Sequence, residues 1–173
     1  MSFRVLYFVC LCLLASACTP EPRVEGEAPE DTAGSADSTD EILRGAREVL
    51  VEYLGHIRGG RHEAALALYG GDPDAFPRQA WFGTDTLSAE QFLRAACADR
   101  ILFCDLGVRS VVEARLIGTD TVRVAVELEN GDGTRFEAPA AGGQPGPADT
   151  LFEFDVLARN GTFSVLSLPV YRP

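Results

Sequence analysis

The chain has no lysine; all fifteen of its basic residues are arginine. Alanine and glycine are abundant, a bias that fits a GC-rich genome and says little about chemistry. No stretch gathers the arginines into a basic cluster, and 26 acidic residues bring the formal net charge to −11. A surface of this sign repels phosphate backbones, which excludes nucleic acid as a partner. It also argues against docking on anionic headgroups through the protein surface. No apolar run approaches the ~20 residues that a helix needs to cross ~30 Å of hydrocarbon. No C-x-x-C is present, which removes the usual redox motif. The two histidines, His56 and His62, flank a helix break without metal-ligand spacing. There is no glycine-rich phosphate loop and no nucleophile elbow. What is there is 173 residues, 46% hydrophobic and 24% charged. That suits one globular domain with appendages rather than a disordered chain.

The start of the chain has the layout of an export signal. Arg4 precedes ten apolar residues, Val5 to Leu14, and small residues follow. Leu14-Ala15-Ser16-Ala17-Cys18 resembles the lipobox of bacterial lipoproteins. In that family signal peptidase II cuts before the cysteine, and the cysteine sulfur carries a diacylglycerol. The family prefers leucine three residues before the cysteine; here that place holds Ala15, with leucine one step earlier. The resemblance implies lipidation at Cys18 and attachment to a membrane through that lipid. It implies residence in the cell envelope, at the outer membrane facing the periplasm, because Thr19 stands where aspartate would signal inner-membrane retention. The alternative is an ordinary signal peptide cut after Ala15-Ser16-Ala17, leaving Cys18 as a free thiol.

Residues 19–41 hold eight acidic side chains, one arginine and a single large apolar residue, Val24. Such a segment buries too little apolar surface to offset its ordering entropy and is expected to be disordered. Its typical reach is roughly 25 Å. The expected organisation is a signal peptide over 1–17, an acidic tether over 18–39 and a single α+β domain over 40–173.

Within that domain, Ile42, Leu43, Ala46, Val49, Leu50, Tyr53, Leu54 and Ile57 recur at helical spacing, which predicts a helix over 40–58. Ser38 and Glu41 have capping-box spacing. A second helix is expected from Arg61 to Tyr69, and a third from Ser88 to Ala98 with a capping box at Ser88 and Gln91. Residues 72–87, with the lone Trp81, are expected to be irregular. The period then changes to 2. Strands are predicted over 108–116 and 121–129, with Val112 and Leu116 on the apolar face of the first. A third is predicted from Thr134 to Ala138, then a loop over 139–147. A closing hairpin over 151–159 and 162–171 turns on Asn160-Gly161.

Two stretches carry a second resemblance. VEYLGHIRGGRHEAALALYG is similar to the opening helix pair of the nuclear transport factor 2-like superfamily, and LFEFDVLARNGTFSVLSL is similar to its closing hairpin. Phe163 stands where many members have tryptophan. The resemblance covers about residues 41–171 and implies a cone: helices wrapped by a curved antiparallel sheet. On function it is nearly silent, because the superfamily mixes enzymes with binding modules.

Cys10 and Cys12 leave with the signal, and Cys18 is taken by lipid. Cys97 and Cys104 remain as an even pair in an oxidising compartment, and a structural disulfide is expected between them. No catalytic set stands out. His62 is expected to be exposed, Asp85 a turn residue, and Glu153 and Asp155 members of a polar strand face. Tyr53, His56, Trp81 and Phe82 are the candidates to line a pocket. No metal or cofactor is expected. The leading expectation is a non-catalytic envelope lipoprotein that binds a small apolar ligand or another envelope protein. The alternatives are a cofactor-free enzyme of the ketosteroid-isomerase or polyketide-cyclase kind, and a module that forms a homodimer.

Overall fold

The computed structural model describes residues 33–138 and 148–171. The expected signal peptide, Cys18 and the expected loop over 139–147 lie outside the described residues. Four helices precede four strands. They are α1 (Ala33–Arg58), α2 (His62–Ala67), α3 (Arg78–Phe82), α4 (Ala89–Ala98), β1 (Gly107–Leu116), β2 (Thr121–Glu129), β3 (Phe152–Arg159) and β4 (Thr162–Val165). The strands form one antiparallel sheet in sequence order, β1-β2-β3-β4. The sheet is curved and unclosed. The fold is α+β, with helices and sheet segregated along the chain as expected.

The apolar stripe of α1 is the spine of the core. Ala46, Val49, Leu50, Tyr53, Leu54 and Ile57 are buried, and α1 touches all four strands. The sheet answers with Val122, Val124, Val126 and Leu128 from β2, Phe154 and Val156 from β3, and Val165 from β4. At about 25 cal/mol per Å², each of these side chains contributes on the order of 2 kcal/mol. The stripe starts later than the helix itself. Instead of opening at 40, α1 begins at Ala33, so Ser38 lies inside the helix rather than at its end. No proline separates Ala33 from Asp40, and extending a helix that has already formed needs no new nucleus.

Residues 72–87 are more ordered than expected. A 3₁₀ turn over Pro73–Ala75 and the five-residue α3 present Phe76, Trp81 and Phe82 to one ring, Phe92 of α4. Phe76 and Trp81 stack on it at centroid distances of 4.7 and 5.3 Å, and Phe82 meets it edge-on at 5.7 Å. Buried Arg78 lies against the same cluster. Its Nε donates to the Leu87 carbonyl at 2.7 Å, and its guanidinium sits 5.4 Å from the Phe76 ring. Ring stacking and a cation–π contact order a segment that has no periodicity to announce it. The capping box of α4 forms as expected: the Gln91 amide donates to Ser88 Oγ and the Ser88 amide donates to Gln91 Oε1.

The sheet departs from expectation in three places. First, β1 carries two register shifts, between Val108 and Ser110 and between Val111 and Glu113. Each extra residue reverses the in–out phase. Val111 therefore pairs with buried Val126, and Val112 is 56% exposed; the second shift restores the phase, so Leu116 pairs with buried Val122 and is 39% exposed at the end of the strand. Second, residues 134–138 form isolated bridges, Glu129 to Arg135 and Ala138 to Asp149, rather than a strand. β1 holds one edge of β2, and β3 holds the other from Thr121 to Val126. Only the last residues of β2 are left for Arg135 and Phe136. Third, β4 stops at Val165. The chain beyond it docks through Phe103 N–H to the Val170 carbonyl, with Pro169 buried and without a donor. The Asn160-Gly161 turn forms as expected, with φ of 53° and 74°. Both residues are left-handed, which a two-residue hairpin of this twist requires.

The second face of the sheet is ionic. Arg123 grips Asp155 with two bonds of 2.8 and 3.1 Å and reaches Glu153 at 3.5 Å, and Arg115 also bridges to Glu153. Glu153 and Asp155 lie on the polar face, as the alternation implied.

Tyr53 tests the core. Its ring is fully buried and, among the described residues, its hydroxyl has no hydrogen-bond partner. Burial, and then Tyr69, push its pKa above the ordinary phenol range. A buried hydroxyl without a partner has a desolvation cost, so Tyr53→Phe should be neutral or stabilising, by up to about 1 kcal/mol. Urea denaturation measures it; a loss of more than ~1 kcal/mol would show that the hydroxyl is bonded.

Candidate functional site

A cleft of about 570 Å³ opens where the end of α1, the start of α2, the end of α4 and the loop to β1 meet. That is the size range of small-molecule sites. Arg58, His62, Arg94 and Arg100 line it together with a single carboxylate, Asp105. Its apolar wall is Ile57, Leu102 and the Cys97–Cys104 disulfide.

Each cation is placed by a different element. Arg58 ends α1 and extends towards Glu129 at 3.7 Å, passing over Gly107. A Cβ at Gly107 would meet the Arg58 guanidinium, the far end of a flexible side chain, so a larger residue there would displace it. Arg94 projects from α4 and pairs with Glu90 one turn earlier. Arg100 follows α4 with φ of 56°, a left-handed conformation that disfavours any residue with a side chain. Among the described residues Arg100 has no ion pair. The backbone around it closes the helix: the Arg100 amide donates to the Cys97 carbonyl, and the Ile101 and Leu102 amides both donate to the Ala96 carbonyl. These carbonyls are satisfied, which blunts the negative end of the α4 dipole beside the cleft.

His62 is 9% exposed, not the exposed residue expected, because α2 is short and packs against α4. It has no hydrogen bond among the described residues. Burial lowers its pKa below 6.5, the Arg94 charge lowers it further, and Glu90 partly opposes this. The imidazole is therefore neutral at pH 7, with a ring N–H available to donate.

The four residues expected to line a pocket do not meet at this cleft. Tyr53 is in the core. His56 sits on α1, where its Nδ1 accepts from Arg61 Nε at 2.9 Å and its Nε2 lies 3.5 Å from Glu52. Trp81 and Phe82 pack on Phe92, with Trp81 also 6.4 Å from Tyr171. Asp85 is exposed in the turn before α4. Sequence reading missed the cleft because its cations are spread from position 58 to 100 and share no motif. A search for linear basic clusters cannot find cations that only the fold assembles. The Cys97–Cys104 pair was the one legible part: it is bonded in the structure and forms a wall of the site.

Two outcomes follow from this geometry. Replacing both Cys97 and Cys104 with alanine should lower stability by about 2 kcal/mol, as a short closed loop implies; an unchanged denaturation midpoint would refute it. For His62 the folded pKa lies below the unfolded one, so the folded state binds fewer protons. Its contribution is intact above pH 6.5 and is lost as pH falls through the folded value. The stability difference between wild type and His62→Gln should therefore shift in favour of the variant as pH falls below 6.5, read by denaturation at each pH; a pH-independent difference would contradict this. Compared with protein-family models, curated proteins and solved structures, the chain matches none.

Proposed function

We propose that this chain is an envelope lipoprotein, anchored through lipid on Cys18, whose α+β domain is a small-ligand binding module of the nuclear transport factor 2-like kind. The observation that carries the binding reading is the cleft. It is open, of ligand size, and its polar groups are almost all donors: three guanidinium groups and an imidazole around one carboxylate. Such a set holds a ligand without a paired acid and base to transform it. The cone reading is supported by the order of elements and by a long helix laid across a curved antiparallel sheet. The interior of that arrangement is packed rather than hollow, with Phe92 and Phe154 buried against α1 and its neighbours. The ligand site is therefore the cleft at the helix ends.

Anchoring rests on the apolar run, the small residues before Cys18 and the acidic segment after it. One acyl chain holds a protein only marginally, and two or three hold it stably. The acidic segment keeps the domain off an anionic bilayer surface by charge repulsion. Cys18→Ser should move the protein from the membrane to the soluble fraction and abolish its labelling with radioactive fatty acid. Retention of the variant in the membrane fraction would sink the anchor.

A further inference from the structure

We propose that the cleft recognises a small oxyanion, a phosphate or carboxylate group on a soluble ligand whose apolar body lies on Ile57, Leu102 and the Cys97–Cys104 disulfide. This rests on the binding reading of the same cleft and names the chemistry of what it binds.

The charge distribution is the first reason. Residues 42–173 carry a net charge of −5, yet this one concavity gathers Arg58, Arg94 and Arg100. Like charges brought together repel, and the repulsion is visible at His62, whose charged form Arg94 disfavours. The ion pairs nearby reduce that repulsion without removing it. Glu129 and Glu90 engage Arg58 and Arg94, and Arg100 has no acidic partner among the described residues. Guanidinium groups present forked N–H donors that match phosphate and carboxylate oxygens.

The second reason is His62. It is nine-tenths buried, lines the cleft and has no hydrogen bond among the described residues. Its ring nitrogens are not sealed from solvent, so an oxyanion in the cleft can reach the ring N–H and accept from it. The third is the backbone of Arg100. A left-handed arginine persists at a helix end where glycine is the usual residue. The side chain at this position carries a charge into the cleft that glycine could not.

The pH behaviour of the site follows from its neighbours. His62 feels Arg94 and Glu90 from α4, and shares the cleft lining with Arg58 from α1 and with Arg100 and Asp105 from the loop to β1. An anion among them favours protonated imidazole, so binding should strengthen as pH falls and the bound His62 should titrate at higher pH than the free one.

The test is an NMR titration of the purified full chain with inorganic phosphate and, separately, with acetate. At least one should give saturable shifts, with a millimolar Kd, centred on Arg100, Arg94 and His62. The His62 ring resonance should titrate at higher pH in its presence. Arg100→Gly should weaken binding roughly tenfold, the loss of one charge-assisted contact. That variant should fold at least as well as wild type, because glycine suits the left-handed position. Arg44→Ala, far from the cleft on α1, should leave binding unchanged. Shifts that do not saturate, or a Kd that Arg100→Gly leaves unchanged, overturn the proposal. A third arm uses phosphatidylglycerol vesicles and the full chain carrying Cys18→Ser. Association that Arg100→Gly abolishes, with no response to free phosphate or acetate, would assign the cleft to a lipid headgroup and overturn a soluble ligand. If these titrations fail while Cys18→Ser still leaves the membrane, the oxyanion is wrong and the anchored binding module stands.

Discussion

The Phe92 ring holds the helical layer together. Three aromatic side chains from the segment before α4 close on it, and the buried Arg78 guanidinium lies 5.9 Å from its centroid. These contacts fix α4 against α3 and the 3₁₀ turn. They thereby fix the far end of α4, where Arg94 and Cys97 form one wall of the cleft. The disulfide then ties that end to the loop leading into β1. A side chain that does not line the cleft therefore sets its geometry. Trp81 and Phe82, which the sequence offers as pocket-lining aromatics, act one step back: they position the helix that lines the site.

The sheet works under a different constraint. It has one dry face, filled by α1, and one wet face. On the wet face Arg115, Arg123, Glu153 and Asp155 interlock across the strands. Ala125 is 4% exposed among them, shielded by the long side chains of its neighbours. Exposed ion pairs of this kind add little to stability individually. Their larger effect is on specificity: a face laced with both signs of charge is a poor surface for self-association through apolar contact. The two bulges in β1 act in the same direction at the sheet edge, because irregular pairing there discourages the addition of another strand.

How much of this was legible follows from where each signal resides. The α1 stripe, the Ser88 capping box and the Asn160-Gly161 turn are local, and a few neighbouring residues determine each of them. The disulfide was legible because setting aside the cysteines expected to be lost or lipidated near the start leaves a single pair. The phase of β1 was not legible. Its bulges come from pairing with β2, and strict alternation placed Val112 inside when it is exposed. Residues 134–138 read as a strand because their composition suits one; they fail to become one because β3 already holds that edge of β2. His62 was misplaced for a similar reason: its burial comes from α4, some thirty positions away. The cleft was the least legible feature, since it exists only as a junction of four segments.

Charge ties the site to the whole chain. A net charge of −11 repels an approaching anion at long range, while the three arginines of the cleft would attract it at short range. Salt separates the two effects. At physiological ionic strength the screening length is about 8 Å, so distant carboxylates are largely silenced. Contacts between guanidinium and oxyanion in a partly enclosed cleft are screened far less. A basic surface that binds anions loses affinity steeply as salt rises, because its attraction is long-ranged. Here salt removes repulsion as well as attraction, so the dependence should be shallow. On the proposed binding reading, this charge layout would select ligands by fit within the cleft rather than by capture from a distance. Polyanions, whose charges extend beyond the cleft, would meet the acidic remainder of the protein.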